Sequence, residues 1–173
     1  MKEVKMDKEV KLSPHFTLGE MTRTEFKTED GNIPSRVSIE NLRNICENWL
    51  EDLRYSYNTL YCLEPGDDYE TSEKVEGIVI NHGFRSPQVS KAMAKAGYKP
   101  SPTSNHLLGC AVDIRCLGKE QAIRYAAILL DIADGTKRDY DELLIERNSR
   151  GSIWIHFAVR PHNNRRKVGF MEG

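Results

Sequence analysis

Three short stretches of the chain hold the residue types that metal and peptide chemistry require. The first is Ser104-Asn105-His106-Leu107-Leu108-Gly109-Cys110-Ala111-Val112-Asp113. An imidazole nitrogen and a carboxylate oxygen are both good zinc donors, and together they leave room for a third protein ligand and a water. Gly109 lets the chain bend between a loop carrying His106 and a strand carrying Asp113. In that strand Val112 and Ile114 are expected to face a core, with Ala111 and Asp113 facing the other way. The second stretch is Ser152-Ile153-Trp154-Ile155-His156-Phe157-Ala158. Its alternation sends Ile153, Ile155 and Phe157 inward and leaves Trp154 and His156 on the opposite face. The third, Asn81-His82-Gly83-Phe84-Arg85-Ser86-Pro87, reads as a strand end turning into a helix N-terminus. An arginine there offers a fork that grips a carboxylate at two points. Singly, these residues also fit ordinary roles: a satisfied histidine, a capping aspartate, a solvated arginine.

Taken together, the stretches resemble the zinc D-Ala-D-Ala metallopeptidases, a group related in fold to the hedgehog signalling domain and more distantly to lysostaphin-type enzymes. The zinc signature S-x-H-x-x-G-x-A-x-D is present from Ser104 to Asp113 without a mismatch. The W-x-H of Trp154 and His156 looks like the second metal strand, and Gly83 to Pro87 resembles the G-Y-R-S-P turn. Leu12 to Met21 resembles the opening L-S-x-H-F-T-L-x-E-M of a subgroup found in phages and bacteria. Leu42 to Arg54 resembles that subgroup's first long helix, and Asp141 to Glu146 its D-Q-L-I-x-E strand. The likeness spans residues 12–167.

The resemblance implies one zinc ion held by His106, Asp113 and His156, with Arg85 clamping a substrate carboxylate. It implies that Ser104 fixes the loop and touches substrate, and it places Trp154 with the substrate-binding residues. His82 stands where relatives carry a small residue, and either contacts substrate or caps its strand. Cys110, at a variable position of the signature, is inert packing or a competing thiolate. The implied activity is hydrolysis of D-alanine-containing peptide bonds in peptidoglycan or its precursors, with stem peptides or D-Ala-D-Ala peptides as partners. Carboxypeptidase, endopeptidase and dipeptidase action all remain open.

One departure bears on mechanism. Several members of that group place an acidic base three residues before the last histidine ligand, and here that position is Ile153. Hairpin parity offers a replacement. Ser149-Arg150-Gly151 suits a three-residue loop closed by a left-handed glycine. That loop pairs Asn148 with Ser152, Glu146 with Trp154 and Leu144 with His156, so that Glu146, Trp154 and His156 share one face. Glu146 is therefore expected as the catalytic base, with Glu142 on the same face in reserve. The competing expectation is a zinc-containing module, weak or inactive as a catalyst, that binds peptidoglycan or a protein partner.

These residues need elements to position them. Thr17 with Glu20 three residues on forms a capping-box signal, and residues 22–36 read as a loop. From Ser38, a suitable N-cap, the apolar stripe Ile39, Leu42, Ile45, Cys46, Trp49, Leu50, Leu53 predicts a long helix. Strands are expected at 77–81, 111–116, 140–147 and 152–159, and helices at 87–96 and 119–130. Residues 64–76 read as a solvated acidic loop, and Arg165-Arg166-Lys167 as a solvated basic end. The class is α+β, helices packed on one face of a small antiparallel sheet.

At 173 residues the chain is one domain's worth, with residues 1–11 expected to fray and 12–36 to act as an N-terminal capping segment. Hydrophobic residues make up 39% and charged ones 29%, which argues against disorder. Lys+Arg of 25 against Asp+Glu of 26 leaves a net charge of −1, with no bulk attraction for nucleic acid or anionic membrane. No apolar run approaches the ~18 residues of a membrane span, and the charged opening has no apolar secretory core. The expectation is a protein made in the cytoplasm, with phage-encoded delivery to the wall as one route, and a monomer in preference to an oligomer. The four cysteines form no CxxC pair and read as free thiols.

Overall fold

Local signals start the fold at the N-terminus. Strands β1 (Lys11–Ser13) and β2 (Phe16–Thr17) form a small hairpin that runs into α1 (Leu18–Met21). Thr17 caps α1 with the reciprocal Glu20 bond expected of a capping box. The structure, a computed structural model, describes residues 5–172. Residues 1–4 of the lead expected to fray lie outside that range. Residues 8–11 do not fray: Leu18 N donates to Val10 O at 2.8 Å, and Gly19 N to Lys8 O at 2.9 Å.

Helix α2 (Arg36–Ile45) begins three residues earlier than the sequence suggested. Ser35 is the N-cap, its hydroxyl accepting from Ser38 N, and Ser38 is buried in the first turn. A π-helical turn at Cys46–Leu50 leads into α3 (Glu51–Tyr61). The apolar stripe is buried as expected: Leu42, Ile45, Trp49, Leu50 and Leu53 are at most 1% exposed. Each contributes on the order of 1.5–3 kcal/mol from burial.

A five-stranded sheet receives those helices. Its members are β3 (Ile80–His82), β4 (Ala111–Cys116), β5 (Glu142–Arg147), β6 (Ile153–Ala158) and β7 (Lys167–Glu172), in the order β3-β4-β6-β5-β7. The first four strands pair antiparallel, whereas β7 joins β5 in parallel. The α+β class with helices on one sheet face stands; β7 is the strand of this sheet that the sequence pattern missed, as it missed the β1–β2 hairpin. The β7 side chains are mostly exposed, so that strand carries little core periodicity to read. Arg165 and Arg166, expected as a solvated basic end, are engaged as well. Arg165 binds Asp141, while Arg166 reaches Asp134 and Asp139 and lies 5.0 Å from the Tyr140 ring centre.

Helix α4 (Pro87–Lys95) starts at an N-capping Ser86, and α5 (Lys119–Thr136) runs six residues past Leu130, ending at Lys137 in a left-handed conformation. Helices α3 and α5 pack together, and α5 lies on β4, β5 and β6. Val112, Ile114, Ile155, Phe157 and Leu143 point into that interface, and the Trp49 ring meets Phe157 edge-on with centres 5.0 Å apart. The alternation of β4 and β6 therefore sends Asp113, Trp154 and His156 to the other face, as their sequence pattern required.

Candidate metal centre

Strand register builds most of the site. Asp113 on β4 is the cross-strand partner of His156 on β6, so the two side chains stand side by side on the face away from α5. His106 arrives from a one-turn 3-10 helix, Asn105–Leu108, capped at its start by Ser104 and at its end by Gly109. Gly109 has φ +69°, and a Cβ there would lie 2.4 Å from Ser38 O at the start of α2. The glycine of the motif is thus fixed twice, by a left-handed backbone and by a close tertiary approach.

The side chains of His106, Asp113 and His156 each offer a ligand atom within 4.8 Å of the others. Asp113 Oδ1 lies 3.3 Å from His106 Nε2 and 3.2 Å from His156 Nδ1. Bonds of ~2.0–2.1 Å at a tetrahedral angle put ligand atoms roughly 3.3–3.4 Å apart, so these spacings suit zinc. The donor set suits it too: two imidazoles and one carboxylate, with capacity for a further ligand.

The remaining ring nitrogens are held. His106 Nδ1 lies 2.7 Å from Gly83 O, which leaves Nε2 free to face Asp113. His156 Nε2 lies 3.2 Å from Glu142 Oε1, which leaves Nδ1 facing the same point. Ligand imidazoles are commonly oriented by such outer contacts. Electrostatics agree with a cation site. Burial would raise the Asp113 carboxyl, but His106, His156 and His82 outweigh it and hold it well below the usual range. Burial opposes charge on His156, yet hydrogen bonds to Asp113 and Glu142 push its pKa up to about 10. Carboxylates 3.2 Å from each nitrogen of the His156 ring favour positive charge there, and a divalent metal would displace the proton from the ring nitrogen facing Asp113.

A cleft of about 180 Å³ adjoins the triad, lined by His82, Arg85, His106 and Asp113 together with Arg23–Phe26, Val89, Met93 and Tyr98. Arg85 is half-buried, donates from Nε to Ser90 Oγ at 3.0 Å, and has no carboxylate in ion-pair range among the described residues. Burial pushes its pKa down, with Asp113 opposing. His82 is largely exposed, with Nδ1 3.5 Å from Asp113 Oδ2.

Glu146 pairs with Trp154 and Glu142 with Ala158, and the loop ends on Gly151 at φ +87°. The three-residue hairpin is the one expected, and it sets Glu146, Trp154 and His156 on one face. Burial pushes the Glu146 carboxyl above its ordinary value, Asp113 adds to the rise, and His156 and Trp154 pull against it. Unlike Glu142, it forms no ion pair among the described residues.

Two expected substrate residues are placed elsewhere than the cleft. Ser104 Oγ accepts from His106 N at 3.3 Å, so it shapes the ligand loop. Trp154 lines a separate depression with Asn81 and Arg115, one strand row from the triad. Cys110 is buried and its thiol is pushed up to about 11, which keeps it protonated beside the site. All four cysteines are free. The sequence reading missed Asn105 and Asp141, both buried. Asn105 Nδ2 donates to Asp141 Oδ2 and to Glu142 Oε1, each at 2.8 Å, and Arg165 meets Asp141 through Nε and Nη2. A buried carboxylate demands partners, but their identity depends on long-range folding.

No helix among the described residues is long and apolar enough to cross a membrane. No protein-family model and no curated protein matches the chain. Among solved structures, the chain is similar to the crystal structure of the Serratia marcescens L-Ala D-Glu endopeptidase ChiX, at 18% identity and a TM-score of 0.40, over 72% of this chain and 87% of that one. At that distance the likeness carries no residue-level assignment, and the chemistry of the centre rests on His106, Asp113, His156 and their own surroundings.

Proposed function

We propose that this chain is a zinc-dependent peptidase that hydrolyses D-alanine-containing peptide bonds of bacterial cell-wall peptidoglycan or its precursors. The observation that carries the proposal is the gathering of His106, Asp113 and His156 on a sheet face that also holds Glu146, beside a cleft containing Arg85. His106, Asp113 and His156 would hold the metal. When bound, zinc supplies a Lewis acid that polarises a carbonyl and lowers the pKa of water towards ~7. Arg85, with its terminal nitrogens uncommitted to any carboxylate among the described residues, orients a peptide by binding its carboxylate in the cleft. Glu146, whose carboxyl burial pushes above its ordinary value, takes a proton from the attacking water on a carboxylate oxygen and returns it to the leaving amine. The D-alanine preference rests on the motif resemblance.

The alternative of a binding module drew its motive from Ile153. Ile153 sits at the helix-covered face, and Glu146 offers an acid from the neighbouring strand instead. The test is incubation of metal-analysed protein with D-Ala-D-Ala peptides and peptidoglycan fragments, read by mass spectrometry. The expected outcome is amide cleavage that stops with a chelator and returns with zinc. Stoichiometric zinc with no cleavage of any fragment would establish the binding module in its place.

A further inference from the structure

A chain of hydrogen bonds runs from the surface of the molecule to one of the three ligands and touches the turn that carries another. At its outer end Arg165 grips Asp141 with Nε at 3.0 Å and Nη2 at 2.7 Å. Asp141 is fully buried, so this pairing and that of Asn105 satisfy a charge that cannot reach water. The Asn105 amide has two N–H groups, and both are used: one reaches Asp141 Oδ2, the other Glu142 Oε1. The same Glu142 oxygen lies 3.2 Å from His156 Nε2. Asn105 is also the residue before His106, in the turn that Ser104 caps.

We infer that Asn105 is a positioning residue for the metal centre: through Glu142 it aims Nδ1 of His156, and through its place in the 3-10 turn it ties that aim to His106. The inference rests on the proposed zinc function and assigns Glu142 a role as orienter rather than proton carrier. With Oε1 already accepting from the Asn105 amide, Glu142 is steered towards the Nε2–H of His156, which fixes the ring tautomer and leaves the Nδ1 lone pair for the metal. Arg165 and Asp141 act as the fixed end of the chain. Without Asn105, Glu142 Oε1 loses its short 2.8 Å bond and is left with the longer 3.5 Å contact of Arg165 Nη2, so the His156 ring gains freedom to turn.

The experiment is zinc affinity by competition with a chromophoric chelator, with the visible spectrum of the cobalt-substituted protein as a second readout. Parent, Asn105→Ala, Glu142→Ala and Glu142→Gln are compared, each checked for folding by a metal-free thermal melt. Asn105→Ala and Glu142→Ala should each weaken zinc binding about 10–100-fold and alter the cobalt bands. Glu142→Gln should recover most of the affinity and retain measurable turnover, because its carbonyl still accepts from Nε2–H. Parent-like zinc affinity and an unchanged cobalt spectrum in a folded Asn105→Ala protein would overturn the inference while leaving the peptidase proposal intact. Full zinc affinity with abolished turnover in Glu142→Gln would make Glu142 a proton carrier and overturn it as well. A parent that binds no zinc would remove both.

Discussion

At the scale of single residues, what separates two similar carboxylates is what already occupies their oxygens. Glu142 accepts from Asn105 and contacts His156, and those bonds pull its pKa below the ordinary value despite burial. Glu146, four residues further along the same strand, is pushed the other way by burial and has no ion-pair partner among the described residues. A group with spare lone pairs and a raised pKa is suited to moving protons, and one held on both sides is suited to orienting. Glu146→Gln should therefore lower kcat by about 10²–10⁴-fold with zinc content unchanged. Parent-rate hydrolysis by the zinc-loaded variant would remove Glu146 as the base. Arg85→Lys tests the clamp. Lysine keeps the charge but loses the fork, so kcat/KM should fall on the order of 10–1,000-fold. Steady-state kinetics on a peptide with a free C-terminal carboxylate measure it, and parent-like values would reduce Arg85 to a surface charge.

At the scale of elements, the site depends on close backbone approaches that only glycine permits. A Cβ on Gly83 would stand 2.3 Å from Met21 O at the end of α1, and the Gly83 carbonyl accepts from His106 Nδ1. The neighbouring Phe84 N donates to the same Met21 O at 2.7 Å, so the segment cannot move away without losing that bond. Gly83→Ala should cost about 1–3 kcal/mol of stability through overpacking and should also weaken zinc binding, since the His106 anchor shifts with it. Thermal melts and metal titration report the two effects separately. A variant that melts like the parent and binds zinc as tightly would show that the 83–84 segment yields freely.

At the scale of the whole molecule, the buried Asp141 links the C-terminal segment to the metal face. Burial opposes its charge, but Arg165 and Asn105 prevail and lower its pKa from 3.8 to about 2. A lowered folded-state value means that the stabilisation is present above the unfolded pKa and is lost as pH falls through about 2. The shift corresponds to roughly 2 kcal/mol at neutral pH. Asp141→Asn should melt well below the parent at pH 7, and the gap should narrow as the pH is lowered towards 2. A gap independent of pH would show that the charge of Asp141 contributes nothing. Metal acts at the same scale. A ligand that binds only the folded state adds about 2.7 kcal/mol at a hundredfold excess over its Kd. Zinc should raise the melting temperature, a chelator should return it, and Asp113→Ala should abolish the shift. An equal rise in Asp113→Ala would place the metal elsewhere.

Short-range pattern determined much of this protein. The alternation of Ala111–Cys116 and Ser152–Val159 put Asp113 and His156 on one face, and Gly151 set the hairpin register that brought Glu146 beside Trp154. These are period-two and turn effects, complete within about ten residues. The stripe from Ile39 to Leu53 likewise reported its burial, though its cap at Ser35 lay outside the apolar pattern. Tertiary structure alone decided the rest. Strand β7 pairs in parallel with β5 although β6 and two loops separate them in the chain, and it has few buried side chains to announce it. The Arg165–Asp141–Asn105–Glu142 chain joins residues up to 60 positions apart, and a hydrogen-bonding side chain carries no mark of a partner that distant. The motif glycine Gly109 could be read as a bend, but the carbonyl of Ser38 pressing against it became visible only once α2 was packed in place. Periodicity records which face a residue occupies; the contacts made across that face are fixed by packing between elements far apart in the chain.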